Sequence, residues 1–303
     1  MRRGWRLVVT GAVLAVALAG CGKPTGIDGD LTNAWPAIQK ATTPTPKVGD
    51  CYTEKYDATW YGDFSSALDC SLAHQTETVY VGAFAGADAD RSSPPLAGTD
   101  SRSNAYAQCQ KSATDFLGDD WHIGNVFLGL VLPDDKAWTG GARWYRCDLI
   151  HFEDSNFESV HQYGTVKDGL RGSKPIAVTC ITFTDDGKSA VTGQKDTPCA
   201  QPHNGEFAGV YTAPAGAYPS KDAARTLANT GCGGVAAKFL GFSGNSPVSN
   251  FVGWLADGFQ QDQWNLGDRT IRCFVVAFNG QTVNGANVVG SMRGIRNGQP
   301  KKG

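Results

Sequence analysis

Two histidine–glutamate pairs are the residues in this sequence best placed to do chemistry. His74 precedes Glu77 by three residues, and His203 precedes Glu206 by the same spacing. A histidine beside a carboxylate can act as a base with its orienting group, hold a metal ion or contact a ligand. The structural alternative is a histidine that caps a loop and hydrogen-bonds the backbone. The repetition favours that structural alternative over catalysis. The four residues are kept as candidate binding residues, and none is predicted to be catalytic.

Both pairs belong to a cysteine framework that occurs twice. Each histidine lies four residues after the second cysteine of a set, and the first two cysteines of each set are 19 residues apart. A Trp-x2-Gly-x-Arg-x2-Arg motif precedes the fourth cysteine in both sets. These coincidences predict an internal duplication with a period near 130 residues. The eight cysteines are Cys51, Cys70, Cys109, Cys147, Cys180, Cys199, Cys232 and Cys273.

The amino-terminal residues have the pattern of a secretory signal with a lipid-attachment cysteine. Three arginines among the first six residues precede an apolar run of twelve residues from Leu7 to Leu18. This run is shorter than the ~20 residues that a membrane-spanning helix needs. It ends in Leu-Ala-Gly-Cys at Cys21, which resembles a bacterial lipobox whose thiol receives diacylglycerol. We therefore expect a lipid anchor at Cys21 on the extracytoplasmic side of the cell membrane; an ordinary signal peptide is the alternative.

The composition excludes other classes of protein. The chain has 303 residues, with 27 Lys and Arg against 29 Asp and Glu. Without a basic excess, nucleic acid is not an expected partner. After the leader no apolar run reaches the length of a membrane span, so none is predicted in the mature protein. Residues 21–47 are rich in Gly, Pro and Thr and are typical of a tether; an ordered arm packed through Trp35 and Ile38 is the alternative.

Eight cysteines in an exported protein predict disulfide bonds. Four cysteines in each copy allow three pairings. Local geometry favours 51–70, 109–147, 180–199 and 232–273, since a helix cysteine can reach a neighbouring strand. The competing interpretation is a metal site in which Cys70 and His74 supply two ligands. An oxidising compartment and the absence of a Cys-x2-Cys pair argue against it, so neither a metal nor another cofactor is predicted.

Two arginines precede the fourth cysteine of each set. Residues three apart on a strand point to opposite faces. We therefore expect one arginine of each pair to stack on Trp138 or Trp264 and the other to lie in solvent. The functional alternative is a clamp for an anionic envelope polymer or a lipid headgroup. The residues are Arg143, Arg146, Arg269 and Arg272.

The elements that must position these residues recur in the same order in both copies. Apolar periodicity predicts a helix over 103–117 and another over 221–240, each flanked by β-rich segments. The strands are predicted at 78–84, 127–132, 142–152, 176–183, 207–211, 251–255 and 270–278. The predicted fold is α+β, with two homologous disulfide-stapled domains that each have a mainly antiparallel sheet and one main helix.

The same patterns predict the order of domains along the chain. The order is a signal peptide (1–20), a tether (21–47), a first domain (48–154), a linker (155–174), a second domain (175–290) and a frayed polar tail (291–303).

Three motifs together resemble the septum formation family of actinobacterial envelope proteins. They are the start Val48-Gly49-Asp50-Cys51, the Cys-x3-His-x2-Glu element and the Trp-x2-Gly-x-Arg-x2-Arg-Cys ending. The resemblance covers 48–150 and, more loosely, 176–279, where Ala177-Val178-Thr179-Cys180 replaces the first motif. It implies an extracytoplasmic, disulfide-bonded, non-enzymatic domain associated with cell division.

We therefore expect a lipid-anchored binding or scaffolding lipoprotein of the cell envelope with a link to septum formation. Its partner would be an envelope protein or a cell-wall polymer at the groove between the domains. Gly-x-Ser-x-Gly, Ser-x-x-Lys and His-Glu-x-x-His do not occur, which removes the commonest hydrolase signatures. The alternative is an envelope enzyme or ligand carrier that acts on peptidoglycan or glycan, with His74 or His203 essential.

Overall fold

A computed structural model of the chain describes residues 45–53, 67–152, 161–187, 191–244, 249–279 and 282–303. The predicted signal peptide, Cys21 and almost all of the predicted tether lie outside these residues. The described residues fall in one compact unit that extends from 43 to 303. Within them, no helix combines the length and apolar character needed to cross a bilayer.

The first half is a four-stranded antiparallel sheet with one long helix on it. The strands are β1 (Cys51–Tyr52), β2 (Thr76–Ala83), β3 (Val126–Val131) and β4 (Trp144–His151), in the order β1-β2-β4-β3. Helix α1 (Asp100–Leu117) carries small and apolar residues at four-residue intervals, and these face the sheet. The short helix α2 (Asp135–Thr139) precedes β4.

The second half has the same arrangement with one added strand. Its strands are β5 (Cys180–Asp185), β6 (Val191–Thr197), β7 (Gly205–Thr212), β8 (Val252–Ala256) and β9 (Thr270–Ala277), in the order β6-β5-β7-β9-β8. Its helices are α3 (Lys221–Leu240) and α4 (Gln261–Asn265). Without the edge strand β6, the order β5-β7-β9-β8 matches β1-β2-β4-β3 one for one. The predicted mixed fold with antiparallel sheets is confirmed, and the homology of the halves stays a prediction.

Four disulfides fasten these elements, and they are the four predicted pairs. Cys109–Cys147 joins α1 to β4, and Cys232–Cys273 joins α3 to β9. Cys51–Cys70 and Cys180–Cys199 close shorter loops beside β1 and β5. Every bridge lies within one half, so no disulfide crosses between the two sheets among the described residues.

The prediction for the arginines is correct for one member of each pair. The Arg143 guanidinium lies 4.2 Å from the ring centre of Trp138, and that of Arg269 lies 5.5 Å from Trp264. Arg146, expected in solvent, is instead completely buried. Alternation along β4 places Arg146 and Asp148 on the sheet face away from α1. The sequence pattern does not indicate that this face is covered.

Arg146 forms a buried ion pair there. Its Nε donates to an Asp148 carboxylate oxygen at 2.9 Å, and both side chains have no exposed surface. The other carboxylate oxygen accepts from the Thr78 hydroxyl at 2.7 Å. The guanidinium also lies 3.9 Å from the ring centre of Tyr52. The polar face of the first sheet is therefore a packed, hydrogen-bonded layer.

Candidate functional site

His74 and Glu77 hold a distant segment of the first half in place. Glu77 is buried, and its carboxylate accepts from the Thr165 hydroxyl at 2.5 Å and from the Val166 amide at 2.9 Å. The backbone of His74 exchanges two hydrogen bonds with that of Gln162, at 3.0 and 2.7 Å. The ring Nδ1 of His74 donates to the carbonyl of Leu72, two residues back, at 2.8 Å.

His203 and Glu206 repeat this arrangement in the second half. The Glu206 carboxylate accepts from the Ser291 hydroxyl and from the Met292 amide, both at 2.6 Å. The backbone of His203 exchanges two hydrogen bonds with that of Val288. The ring Nδ1 donates to the carbonyl of Gln201 at 2.8 Å. Each motif therefore acts as a clamp on a segment that lies far ahead in the chain.

We call the clamped residues, 162–170 and 288–296, the closing segments. Each segment begins beside its histidine and ends at the carboxyl end of the long helix. There its backbone amides donate hydrogen bonds to the last carbonyls of α1 or α3. A glycine with positive φ turns each one, Gly164 at 84° and Gly290 at 81°. Leu170 and Met292 are buried in the two cores. The described part of the predicted linker is thus packed structure. Most of the predicted tail, 291–303, is exposed, yet backbone hydrogen bonds to the end of α3 and to Asn287 and Val289 hold it in place.

The geometry of both motifs is that of the structural alternative. His74 and His203 are buried, and the Nε2 atom of each has no hydrogen-bond partner among the described residues. A ligand would reach these rings only after the closing segment moved away. In the described residues one group with metal-ligand potential is compact, namely Cys51, Cys70 and His74, whose donor atoms lie within 4.8 Å of one another. Its two sulfurs are bonded to each other, so they are not the thiolates that bind zinc.

The sequence contains a signal for the closing segments that periodicity does not show. A glycine followed by a hydroxyl residue occurs 17 and 18 residues after the fourth cysteine in both copies: Gly164-Thr165 after Cys147, and Gly290-Ser291 after Cys273. The hydroxyl is the group that binds the glutamate of the clamp. A search of the repeat beyond its fourth cysteine would have found them.

Arg272, the counterpart of Arg146, joins the two halves. Its Nε donates to the carbonyl of His122 at 2.8 Å, and its Nη2 donates to the carbonyls of Gly124 and Val126 at 2.5 and 3.4 Å. It is buried, which again differs from the predicted solvent position. Two residues later, where the first half has Asp148, the second half has Phe274. Arg272 reaches across to the first half.

His122 also links the two halves, and no pattern in the sequence marks it. Its Nδ1 lies 2.6 Å from an Asp120 carboxylate oxygen, and its Nε2 lies 3.1 Å from one of Asp268 in the second half. Only the doubly protonated imidazolium can donate to both carboxylates. The Trp121 ring stacks on it at 3.8 Å between ring centres.

These contacts set the charge of the cluster. Burial would lower the pKa of His122, but the hydrogen bonds to Asp120 and Asp268 outweigh it and the pKa is raised. Burial would likewise raise the pKa of Asp120, but the hydrogen bond and the charge of His122 outweigh it and that pKa is lowered. The junction therefore places His122 between two carboxylates, which favour its protonated form.

We expect the stability supplied by His122 to fall in alkaline solution. Because its folded pKa is raised, its contribution is complete below the unfolded pKa of ~6.5 and is lost as pH rises through the folded value. We expect a loss of about 1–2 kcal/mol, which is the order of one charged hydrogen bond. His122→Gln should flatten this part of the profile in urea unfolding from pH 6 to 9. Equal slopes for the two proteins would contradict the assignment.

A groove runs along the junction beside this cluster. Two adjoining cavities, of about 200 and 470 Å3, share the turn formed by Asp257, Gly258 and Phe259. We call the combined cleft the junction groove. Its first part is lined by both halves and its second by the amino-terminal half of α3. Principal lining residues are Trp121, His122, Phe127, Gln260, Lys221 and Arg225.

Asp257 lines both parts of the junction groove. It is partly buried, and its carboxylate accepts no hydrogen bond from the described residues. Burial raises its pKa to about 6, against the attraction of Arg272. A carboxylate acceptor in a cavity that aromatic residues also line can bind a hydroxyl or amino group of a ligand.

Comparison with known proteins decides the family. A model of the family described as septum formation matches residues 48–273. The chain belongs to the septum formation family. The septum formation match runs through both sheets as one stretch and ends at Cys273, before the second closing segment. Comparisons with curated proteins and with solved structures gave no significant match.

Proposed function

We propose that this protein is a lipid-anchored extracytoplasmic lipoprotein of the cell envelope that acts in septum formation by binding or scaffolding. The observation that carries the proposal is membership of the septum formation family over residues 48–273. The leader and the Leu-Ala-Gly-Cys sequence at Cys21 support lipid anchoring. The four disulfides support an oxidising compartment.

We further infer that the halves are homologous products of a duplication. Both have the same strand order, the same internal disulfides and the same clamp on a closing segment. Duplication also explains the first part of the junction groove, because residues of both halves line it. The groove is the contact surface we propose for an envelope protein or a cell-wall polymer.

The test is crosslinking in intact cells from two matched positions. A photoreactive residue replaces Gln260, which is exposed and lines the junction groove, or Lys136, which is exposed on α2 and lies outside it. We expect one discrete crosslinked partner from position 260 and none from position 136. We also expect a fluorescent fusion of the protein to localise at division sites. Equal crosslinking from both positions, or a uniform distribution around the cell, would count against the proposal.

A second candidate is an enzyme or ligand carrier that acts on peptidoglycan or glycan. Asp257 favours it, because a carboxyl group with an open acceptor and a pKa near 6 lies in a cleft. We expect Asp257→Asn to abolish retention of the protein on purified cell-wall sacculi if the carboxylate binds the polymer, and wild-type retention to increase as pH rises through 6. Turnover of sacculi that is lost in the same variant would establish the enzyme instead.

A further inference from the structure

An apolar patch lies at the point where the tether enters the first half. In the described residues six large apolar side chains are exposed, and three of them flank Cys70. These are Val48, Leu72 and Tyr163, exposed by 58%, 57% and 75%. We call this set the entry patch.

Two contacts of Cys70 and one sequence neighbour bring the members of the entry patch together. The Cys70 sulfur lies 3.2 Å from the carbonyl oxygen of Gly49, the residue after Val48. The Cys70 carbonyl accepts from the Gly164 amide at 2.7 Å, next to Tyr163. Leu72 follows Cys70 by two residues. The backbones of Val48, Leu72 and Tyr163 therefore all lie close to one disulfide-bonded cysteine.

The second half shows that the fold does not require an apolar surface here. The equivalent positions, counted from the matching cysteines and closing segments, are Ala177, Gln201 and Val289. Gln201 is polar, and Ala177 is small and partly buried. Val289 is partly buried, and its amide donates to the Lys301 carbonyl. The larger exposed residues of the first half are thus particular to that half.

We propose that the entry patch docks on the surface of the lipid bilayer. This inference rests on the proposed lipid anchor at Cys21. Only 26 residues separate that cysteine from Val48. A random coil of that length has an r.m.s. end-to-end distance of about 28 Å. Because the described fold begins beside the entry patch, we expect the patch to be the part of the fold held nearest the anchor. An exposed tyrosine with aliphatic neighbours is the residue set favoured at a membrane interface.

The docking rests on apolar contact rather than on charge. The charged residues adjacent in sequence, Lys47 beside Val48 and Asp69 beside Cys70, have opposite signs. Docking should therefore survive high salt and should not depend on anionic lipid.

The test is hydroxyl-radical labelling of the full chain on phosphatidylcholine vesicles. The acylated protein is compared with a Cys21→Ala chain that carries no lipid. We expect labelling of Tyr163 and Leu72 to fall about tenfold on vesicles, as for a docked state populated about 90% of the time. Leu96 and Phe278, exposed elsewhere, are internal controls whose labelling should not change. Leu72→Gln, which introduces the residue found at the equivalent position of the second half, combined with Tyr163→Ser should abolish docking. Val48 of this acylated variant should then be labelled on vesicles as strongly as in the Cys21→Ala chain.

Each other outcome has a defined meaning. A mature chain without an acyl group would overturn the anchor and the docking together. An acylated chain that floats with vesicles but labels at Tyr163 as strongly as the Cys21→Ala chain would overturn the docking alone. Low labelling of the Cys21→Ala chain without vesicles would show that the chain itself covers the patch, and would also overturn the docking.

Discussion

Replacing Asp148 by alanine should cost about 3–5 kcal/mol of unfolding free energy, because it leaves Arg146 charged and buried without its carboxylate. The Thr78 hydroxyl would lose its acceptor in the same step. Urea unfolding under non-reducing conditions measures the loss as a lower midpoint at a constant slope.

A double substitution separates the ion pair from the packing. Asp148→Leu combined with Arg146→Met removes both charges and keeps apolar volume, so it should recover most of the lost stability. A double variant as unstable as Asp148→Ala would show that the pair is worth more than an apolar layer. A single variant that loses less than about 1 kcal/mol would show that water reaches Arg146.

Removing the bridge between α1 and β4 should have an effect of similar size. The Cys109→Ala, Cys147→Ala protein lacks a crosslink that spans 38 residues. Loop entropy predicts a loss of about 4 kcal/mol, against about 3 kcal/mol for the 19-residue bridge Cys51–Cys70. The measurement is the free energy of unfolding of the two double variants.

Reduction of the wild-type protein supplies the control. Dithiothreitol should lower the unfolding midpoint of the wild type by more than that of either double variant, because each variant has already lost one bridge. Peptide mapping of the oxidised protein should give four linked pairs, each within one half. A midpoint that does not change on reduction, or a pair that joins the halves, would contradict the structure.

The elements that the sequence predicts well are those with local signals. Helix α3 has the predicted bounds, 221–240, because Ser220 caps its start and Gly241, with φ of 87°, ends it. The disulfide pairs follow from local geometry, since a helix cysteine can reach a neighbouring strand. Strand β6 was missed because only one of its seven residues is apolar and none is buried. As an edge strand it pairs through its backbone, which leaves no apolar pattern.

The junction could not be predicted from the sequence because its contacts are not local. His122 and Asp268 are 146 residues apart. Asp120 lies beside His122 in the sequence, but a single aspartate–histidine spacing is too common to indicate a buried cluster. Arg146 and Arg272 occupy equivalent positions, and the motif alone does not show that one stays within its half while the other crosses. The entry patch is defined by the exposure of its side chains in the folded protein, which the sequence pattern does not reveal.

The position of the closing segments determines the order in which the chain can fold as it emerges, amino terminus first, from a ribosome or a translocation channel. All four cysteine pairs are at most 41 residues apart, so each can form soon after its second member appears. The first half nevertheless stays open until residues 162–170 are released, and the second until 288–296 are. The crosslinks can therefore form before the folds that they stabilise are complete. A chain truncated just after Cys273 would contain all eight of these cysteines but an unfinished second half.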